Sequence, residues 1–317
     1  MLEKTDPDVR CASMKIAIEE LAGCSGCTIS VLDLHEQILA LLQQAEIVYS
    51  PVIMDVKEPP EGIDIAFVTG AIRNEENQER LKTIRKRSKK LVALGTCACY
   101  GGISGLSMLS SCRDIFQCVY RDVTGKAENP LPQEVPPFLY RAFAVGDIAK
   151  VDYYITGCPP KEKYLQMILP ALVNGDSIQL SKKSVCSECD RIMGSVEKWH
   201  LKRRHEGIPD REHCLLGQGY LCMGSVTFGR CGAACPHHNI PCQGCNGPSL
   251  DILREPCRDI YNMMIRRISD LTSIPQKELE KEMYDVAHTM YPFTIGSLIM
   301  EDKEISHIRD LIKEGSQ

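Results

Sequence analysis

The 317-residue sequence has no run of about 18 apolar residues, so nothing in it reads as a membrane span. The stretch Met1–Arg10 carries neither an apolar signal core nor a twin-arginine pair, and the chain is therefore expected in the cytoplasm. There is no surplus of base either. Lys and Arg number 37 against 42 Asp and Glu, a formal charge of −5, which argues against a nucleic-acid binder. No glycine- and serine-rich loop follows the first strand-like segment to cradle a phosphate; Cys24-Ser-Gly-Cys27 stands there instead, so flavin binding gains little support. No internal repeat is visible beyond a loose recurrence of cysteine pairs.

What is present in excess is cysteine, seventeen in all. In a reducing compartment clustered cysteines bind metal or do redox chemistry more often than they pair. The odd count also leaves at least one thiol outside any set of disulfides. Metal is the better reading.

The first half alternates strand-like and helix-like segments. Lys15–Ala22, Ile47–Met54, Asp64–Thr69, Leu91–Gly95 and Tyr153–Gly157 read as strands. Val31, Leu34, Ile38, Leu41 and Ala45 lie at helical spacing, as one amphipathic helix; Asn74–Lys90 and Lys161–Val173 read as two more. Such alternation predicts an α/β domain with a mostly parallel sheet covered on both faces. The stretch from 101 to 150 shows no clear periodicity and reads as a long, functional or partner-binding loop. The composition changes near Ser181. From Cys186 to Cys245 eight cysteines stand among many glycines with little strand or helix pattern, so cofactors would have to supply that segment's core. Helices over Arg258–Arg267 and Pro275–Met290 would pack it against the first half.

Twelve cysteines divide into three sets of four. Cys24, Cys27, Cys97 and Cys158 all follow predicted strands, at the carboxyl rim where open α/β sheets bind their ligands. Cys186, Cys189, Cys214 and Cys222 form a second group in sequence order, and Cys231, Cys235, Cys242 and Cys245 a third. Individual assignments among the last eight could exchange. Four thiolates suit either zinc or a 4Fe-4S cluster. Zinc is the serious competitor, because paired Cys-x-x-Cys units resemble zinc ribbons. The first set is not ribbon-like, however, and clusters give all three sets one purpose, an electron wire. Cys11, Cys99, Cys112, Cys118 and Cys257 read as ordinary thiols, although Cys99 is near enough to Cys97 for a swap. His213, His237 and His238 adjoin the cysteines as ligands, as hydrogen-bond donors to sulfur or as surface groups. The run Lys198–His205 reads as a solvated basic face, with docking of an acidic redox partner as the alternative.

Several of these segments are also familiar as a set. Glu20-x-x-x-Cys24-Ser-Gly-Cys27, Gly95-Thr-Cys97-Ala-x-x-Gly101-Gly102 and Gly157-Cys158-Pro159-Pro160 resemble the proximal-cluster motifs of nickel–iron hydrogenase small subunits. Cys214-Leu-Leu-Gly-Gln-Gly-x-x-Cys222, Gly229-x-Cys231-Gly, Pro241-Cys242-x-Gly-Cys245 and Tyr291-Pro-Phe-Thr-Ile-Gly-Ser297 resemble the same family, over roughly residues 14–300. The resemblance is strongest to the cytosolic, methanogen-type subunit of the methyl-viologen-reducing enzyme, which does not reduce the deazaflavin coenzyme and feeds heterodisulfide reductase. Cys186 stands where membrane-bound and periplasmic relatives usually carry histidine, and Cys235 where many carry proline. The gamma subunit of the deazaflavin-reducing hydrogenase is the alternative, although its tight Cys-x-x-Cys-x-x-Cys run is missing here. A complex-I-like cluster subunit shares the first half but lacks the later eight cysteines.

The resemblance implies a flavodoxin-like domain over 14–180, after an N-terminal extension 1–13, and an irregular, helical iron–sulfur domain over 181–317. It implies three 4Fe-4S clusters: proximal on Cys24, Cys27, Cys97 and Cys158, medial on Cys231, Cys235, Cys242 and Cys245, distal on Cys186, Cys189, Cys214 and Cys222. The nickel–iron centre would sit in a large subunit, so no catalytic residue is expected in this chain. Glu20 would assist proton exit or simply pair at the interface. A small delta-type electron-transfer subunit and the heterodisulfide reductase complex are the further expected partners.

Overall fold

The computed structural model describes residues 13–125, 128, 130–178, 180–194, 196 and 199–315. Cys11, Lys198 and nearly all of the 1–13 extension, to which some of the expectations refer, lie outside these residues.

Five strands form one parallel sheet: β1 (Met14–Glu20), β2 (Ala45–Tyr49), β3 (Ile63–Thr69), then β5 (Ser88–Leu94) and β7 (Tyr153–Ile155). A separate antiparallel pair, β4 (Ile72–Asn74) with β6 (Phe138–Phe143), lies outside it. The sheet order is β2-β1-β3-β5-β7. Counting only its own strands, that is 2-1-3-4-5, the flavodoxin-like order. The expected α/β class is what the chain adopts.

Strand alternation decides the two faces. Ile16, Ile18, Ile65, Phe67, Val92, Leu94 and Ile155 point one way. They pack on Val31 of helix α1 (Gly26–Leu32), on Ile38 and Leu41 of α2 (Glu36–Leu42), and on Leu165, Ile168, Leu169 and Leu172 of α7 (Glu162–Asn174). Ala17, Ala66, Val68, Leu91 and Ala93 point the other way, onto Leu81 and Ile84 of α3 (Glu75–Arg87) and Ala98 and Tyr100 of α4 (Thr96–Tyr100). Each fully buried Val, Leu, Ile or Phe side chain among these stabilises the fold by about 1.5–3 kcal/mol. One carboxyl side chain enters this core. Glu19, 1 % exposed, accepts from Arg80 and from the Tyr49 hydroxyl.

Three sequence expectations need correcting. The single amphipathic helix from Val31 to Ala45 is two short helices, because His35 adopts φ 51° and Ala45 already opens β2. The 101–150 stretch is not a plain loop: it holds a 3-10 turn (Ile103–Leu109), helix α5 (Cys112–Gln117), β6 and α6 (Val145–Ile148). Its short elements carry too few residues for a period to register. The helix expected over Pro275–Met290 is broken into Gln276–Glu282 and Val286–Thr289, with Asp285 at φ 46° between them.

From Val185 onward a separate core gathers Val185, Leu216, Met223 and Val226 with Met264, Ile265 and Ile268 of the helix Ile260–Thr272, and with Tyr291 and Ile295. The partly buried Cys189, Cys214, Cys222 and Cys231 pack against it, and Cys242 lies within it. The halves interlock. Leu253 and Leu298 reach the first half's core, while Leu106 and Leu109 reach the second's. No helix among the described residues is long and apolar enough to cross a membrane.

Candidate functional site

The first cysteine set is assembled at the carboxyl rim of the sheet. Cys24 and Cys27 follow β1, with Cys27 on the first turn of α1; Cys97 begins α4 just beyond β5; Cys158 follows β7. Gly70, after β3, completes the rim, and these residues enclose a cavity of about 200 Å³ together with Thr69, Thr96 and Pro159. The second cavity, about 210 Å³, is lined by Cys231, Cys235, Cys242 and Cys245, and also by Lys161 and Phe293. Phe293 gives the Tyr291-Pro-Phe segment its place in the site. Around the remaining set, burial first and then the neighbouring Cys222, Cys214 and Cys189 push the Cys186 thiol up to about 12. Cys214 also lines a cavity of about 290 Å³ with His213 and Gln218.

Crowding four thiols together disfavours their ionisation. Burial first, then the neighbouring Cys97, Cys158 and Cys24, push the Cys27 thiol up to about 12. Burial, then Cys235 and Cys231, push Cys245 up to about 11. A coordinated metal reverses this balance, since a ligating thiol is deprotonated outright. Backbone amides are already aimed at the sulfurs: Ser104 and Ile103 donate to Cys97, Gly224 to Cys222, Ala234 and Ala233 to Cys231, Gly244 to Cys242. Such donors favour the anionic ligand form. Among the described residues no three His, Cys, Asp or Glu side chains converge closely enough to hold one metal ion. In two of the sets the cysteines line a cavity.

Neighbouring sets touch. Cys158 lines both the first and the second cavity, and its backbone N–H donates to the Cys245 thiol. Thr96, beside Cys97, donates to the Cys245 carbonyl and accepts from the Gly157 amide at 3.0 Å. The Cys242 amide donates to the Cys222 thiol at 3.3 Å. Arg191 ties the same two segments, donating to the carbonyls of Pro236 at 3.0 Å and His213 at 2.9 Å. These linking groups escaped the reading of the sequence, because nothing in a spacing pattern says which loops come to lie side by side.

Glu20 accepts from the Ser25 hydroxyl and from Thr28 Oγ1, at 3.0 Å in the second case, and so braces the start of α1. The remaining described thiols lie away from the cavities. Cys99, 2 % exposed, turns back on the sheet toward the carbonyls of Ala93 and Ile155. Cys112 lies against Arg73 and the Leu139 carbonyl, Cys118 is exposed, and Cys257 donates to Glu304. The flagged histidines have other partners: His213 pairs with Asp210, His237 with Asp190, His238 with the Ala234 carbonyl.

Comparison with known proteins agrees with the geometry. The family described as NADH ubiquinone oxidoreductase, 20 Kd subunit, matches residues 24–172. A subunit of the F420-non-reducing hydrogenase vhu of Methanocaldococcus jannaschii is 45 % identical over 244 residues, 76 % of this chain and 85 % of that one. The corresponding subunit of the F420-non-reducing hydrogenase of Methanothermobacter marburgensis is 33 % identical over 299 residues, 92 % of this chain and 97 % of that one. Among solved structures, a chain of an NAD+-reducing NiFe-hydrogenase in the H2-reduced state superimposes with a TM-score of 0.51 at 31 % identity, over 53 % of this chain and 96 % of that one. With relatives this similar along three quarters or more of its length, the chain belongs to the hydrogenase small-subunit family, as the electron-transfer component of an oxidoreductase complex.

Proposed function

We propose that this subunit conducts electrons from dihydrogen oxidation in a nickel–iron large subunit, through three 4Fe-4S clusters, to a partner that feeds heterodisulfide reductase. The observation that carries this reading is the continuity of the cysteine sets: the cavity of the first set and the cavity of the second share Cys158 as a common wall, and Cys242 and Cys222 join the second set to the third. Bound clusters would supply one-electron storage at potentials set by hydrogen bonding and burial. Cys24, Cys27, Cys97 and Cys158 hold the proximal group beside the large subunit. Cys231, Cys235, Cys242 and Cys245 hold the medial one. Cys186, Cys189, Cys214 and Cys222 hold the distal one, next to a small delta-type subunit. Cys235 supplies the fourth thiolate that a complete medial cubane needs.

The proposed division of the chain is a cluster-bearing flavodoxin-like unit over 14–180 and a two-cluster unit over 181–317, with both working in the cytoplasm. Glu20, tied to Ser25 and Thr28, is proposed to relay a proton at the large-subunit face. The relatives named as F420-non-reducing favour this branch over a deazaflavin-reducing gamma subunit. The test is iron, zinc and acid-labile sulfide in anaerobically purified complex. About twelve irons with equal sulfide, assigned to this chain after subtracting partner clusters, support the wire. Zinc without sulfide overturns it.

A further inference from the structure

One carboxylate between the distal cysteines serves the medial set. Glu188 stands between Cys186 and Cys189, yet its side chain reaches the loop that begins the medial set. Its Oε1 accepts the Arg230 amide at 2.6 Å; its Oε2 accepts the Gly232 amide at 2.9 Å and the Cys231 amide at 3.3 Å. Arg230 and Gly232 have φ of 78° and 60°, a backbone course that turns successive N–H groups to one side as an anion-binding nest. Here a carboxylate of the protein fills the nest. The two loops are held in register around it by backbone bonds, from Val185 to the Thr227 carbonyl at 3.0 Å and from Gly229 to the Lys183 carbonyl at 2.9 Å. A Cβ at residue 229 would meet the Glu188 carboxylate and force it to shift.

A negative charge and three captured amides beside a cluster ligand have a definite electronic consequence. Amides aimed at cluster sulfur raise a potential, and hydrogen bonding and charge are among the protein's main means of tuning it. We propose that Glu188 is a positioning residue that latches the distal ligand loop to the medial one and holds the medial potential low. This rests on the reading that Cys231, Cys235, Cys242 and Cys245 bind an iron–sulfur cluster.

The test is a redox titration of the intact complex followed by electron paramagnetic resonance, with iron measured on the same samples. Glu188→Gln keeps the shape and removes the charge. It should retain wild-type iron while the medial midpoint moves positive by about tenfold in the reduction equilibrium, which is 59 mV for a one-electron couple. Glu188→Asp retains the charge and should stay near the wild-type midpoint; a purely structural role would disturb it as much as Gln. Gly229→Ala, which pushes the carboxylate off the amides from the other side, should shift the midpoint in the same direction and carries the test if the Gln variant does not assemble. An unmoved medial midpoint in the assembled variants overturns the inference. Absence of any cluster signal from the wild-type subunit overturns the cluster reading beneath it, and the inference with it.

Discussion

Replacing Gly95 by alanine should remove the proximal group while leaving the sheet standing. Gly95 closes β5 at φ 89° and ψ 159°, where its amide donates to Ile155 at 2.7 Å and its carbonyl accepts from Cys99 at 3.0 Å. That conformation is nearly confined to glycine and costs another residue about 1–3 kcal/mol. A Cβ at this position would overlap Cys27 Sγ and lie 3.4 Å from Cys27 Cβ and 3.6 Å from the Gly157 carbonyl. Either Cys27 or the turn that delivers Cys97 must therefore move. Gly175→Ala provides the control. Gly175 also has positive φ, 76°, as the C-cap of α7, but an added Cβ meets nothing within 4 Å. Its cost is the left-handed backbone alone, about 1–2 kcal/mol. Gly95→Ala should lower the unfolding midpoint at least as much as Gly175→Ala does. Only Gly95→Ala should lose about four irons per chain, the content of one cubane, together with the proximal resonance signal. A Gly95→Ala complex with wild-type iron and an unaltered proximal signal would refute the assignment of that cavity. So would equal iron loss from Gly175→Ala.

Further outcomes follow from the same geometry. Cys158→Ser should abolish the proximal signal and broaden or shift the medial one, since Cys158 walls both cavities; Cys112→Ser and Cys118→Ser should leave iron content and dihydrogen-dependent electron output unchanged. Stripping iron with a chelator should expose residues 185–247 to protease before the sheet, because the cysteines form part of that core, and mass spectrometry of the first cleavage sites reads this directly. Tyr291→Phe removes the hydroxyl that donates to buried Asp259, which should cost about 1–3 kcal/mol in the complex's unfolding free energy. Burial raises the Glu19 carboxyl above its ordinary 4.5, against the opposing pull of Arg80 and Tyr49. Its folded form thus favours the proton, so its contribution is present below about pH 4.5 and is lost as pH rises through the raised value. As pH rises above about 4.5 the wild-type thermal midpoint should fall relative to that of Glu19→Gln. Parallel profiles would contradict the shift.

The sheet was legible in the residues alone, and so was the convergence of Cys24, Cys27, Cys97 and Cys158 on its carboxyl rim. Ile63–Thr69, and Leu91–Leu94 within β5, are nearly continuous in hydrophobicity because both faces are covered, and that pattern is local enough to read directly. The cysteines could be read for a similar reason. Thiols at strand ends and in Cys-x-x-Cys pairs mark ligand loops whatever the loops do next. Helix breaks were less legible, since the turns at His35 and Asp285 place non-glycine residues at positive φ, which composition does not announce. What lies between the sets was fixed in three dimensions. Cys158 and Cys245 are distant in the chain, as are Cys222 and Cys242, and Glu188 and the Cys231 amide. Their pairing depends on how two cores interlock through Leu106, Leu253 and Leu298, and a long-range fit of that kind has no periodicity to betray it.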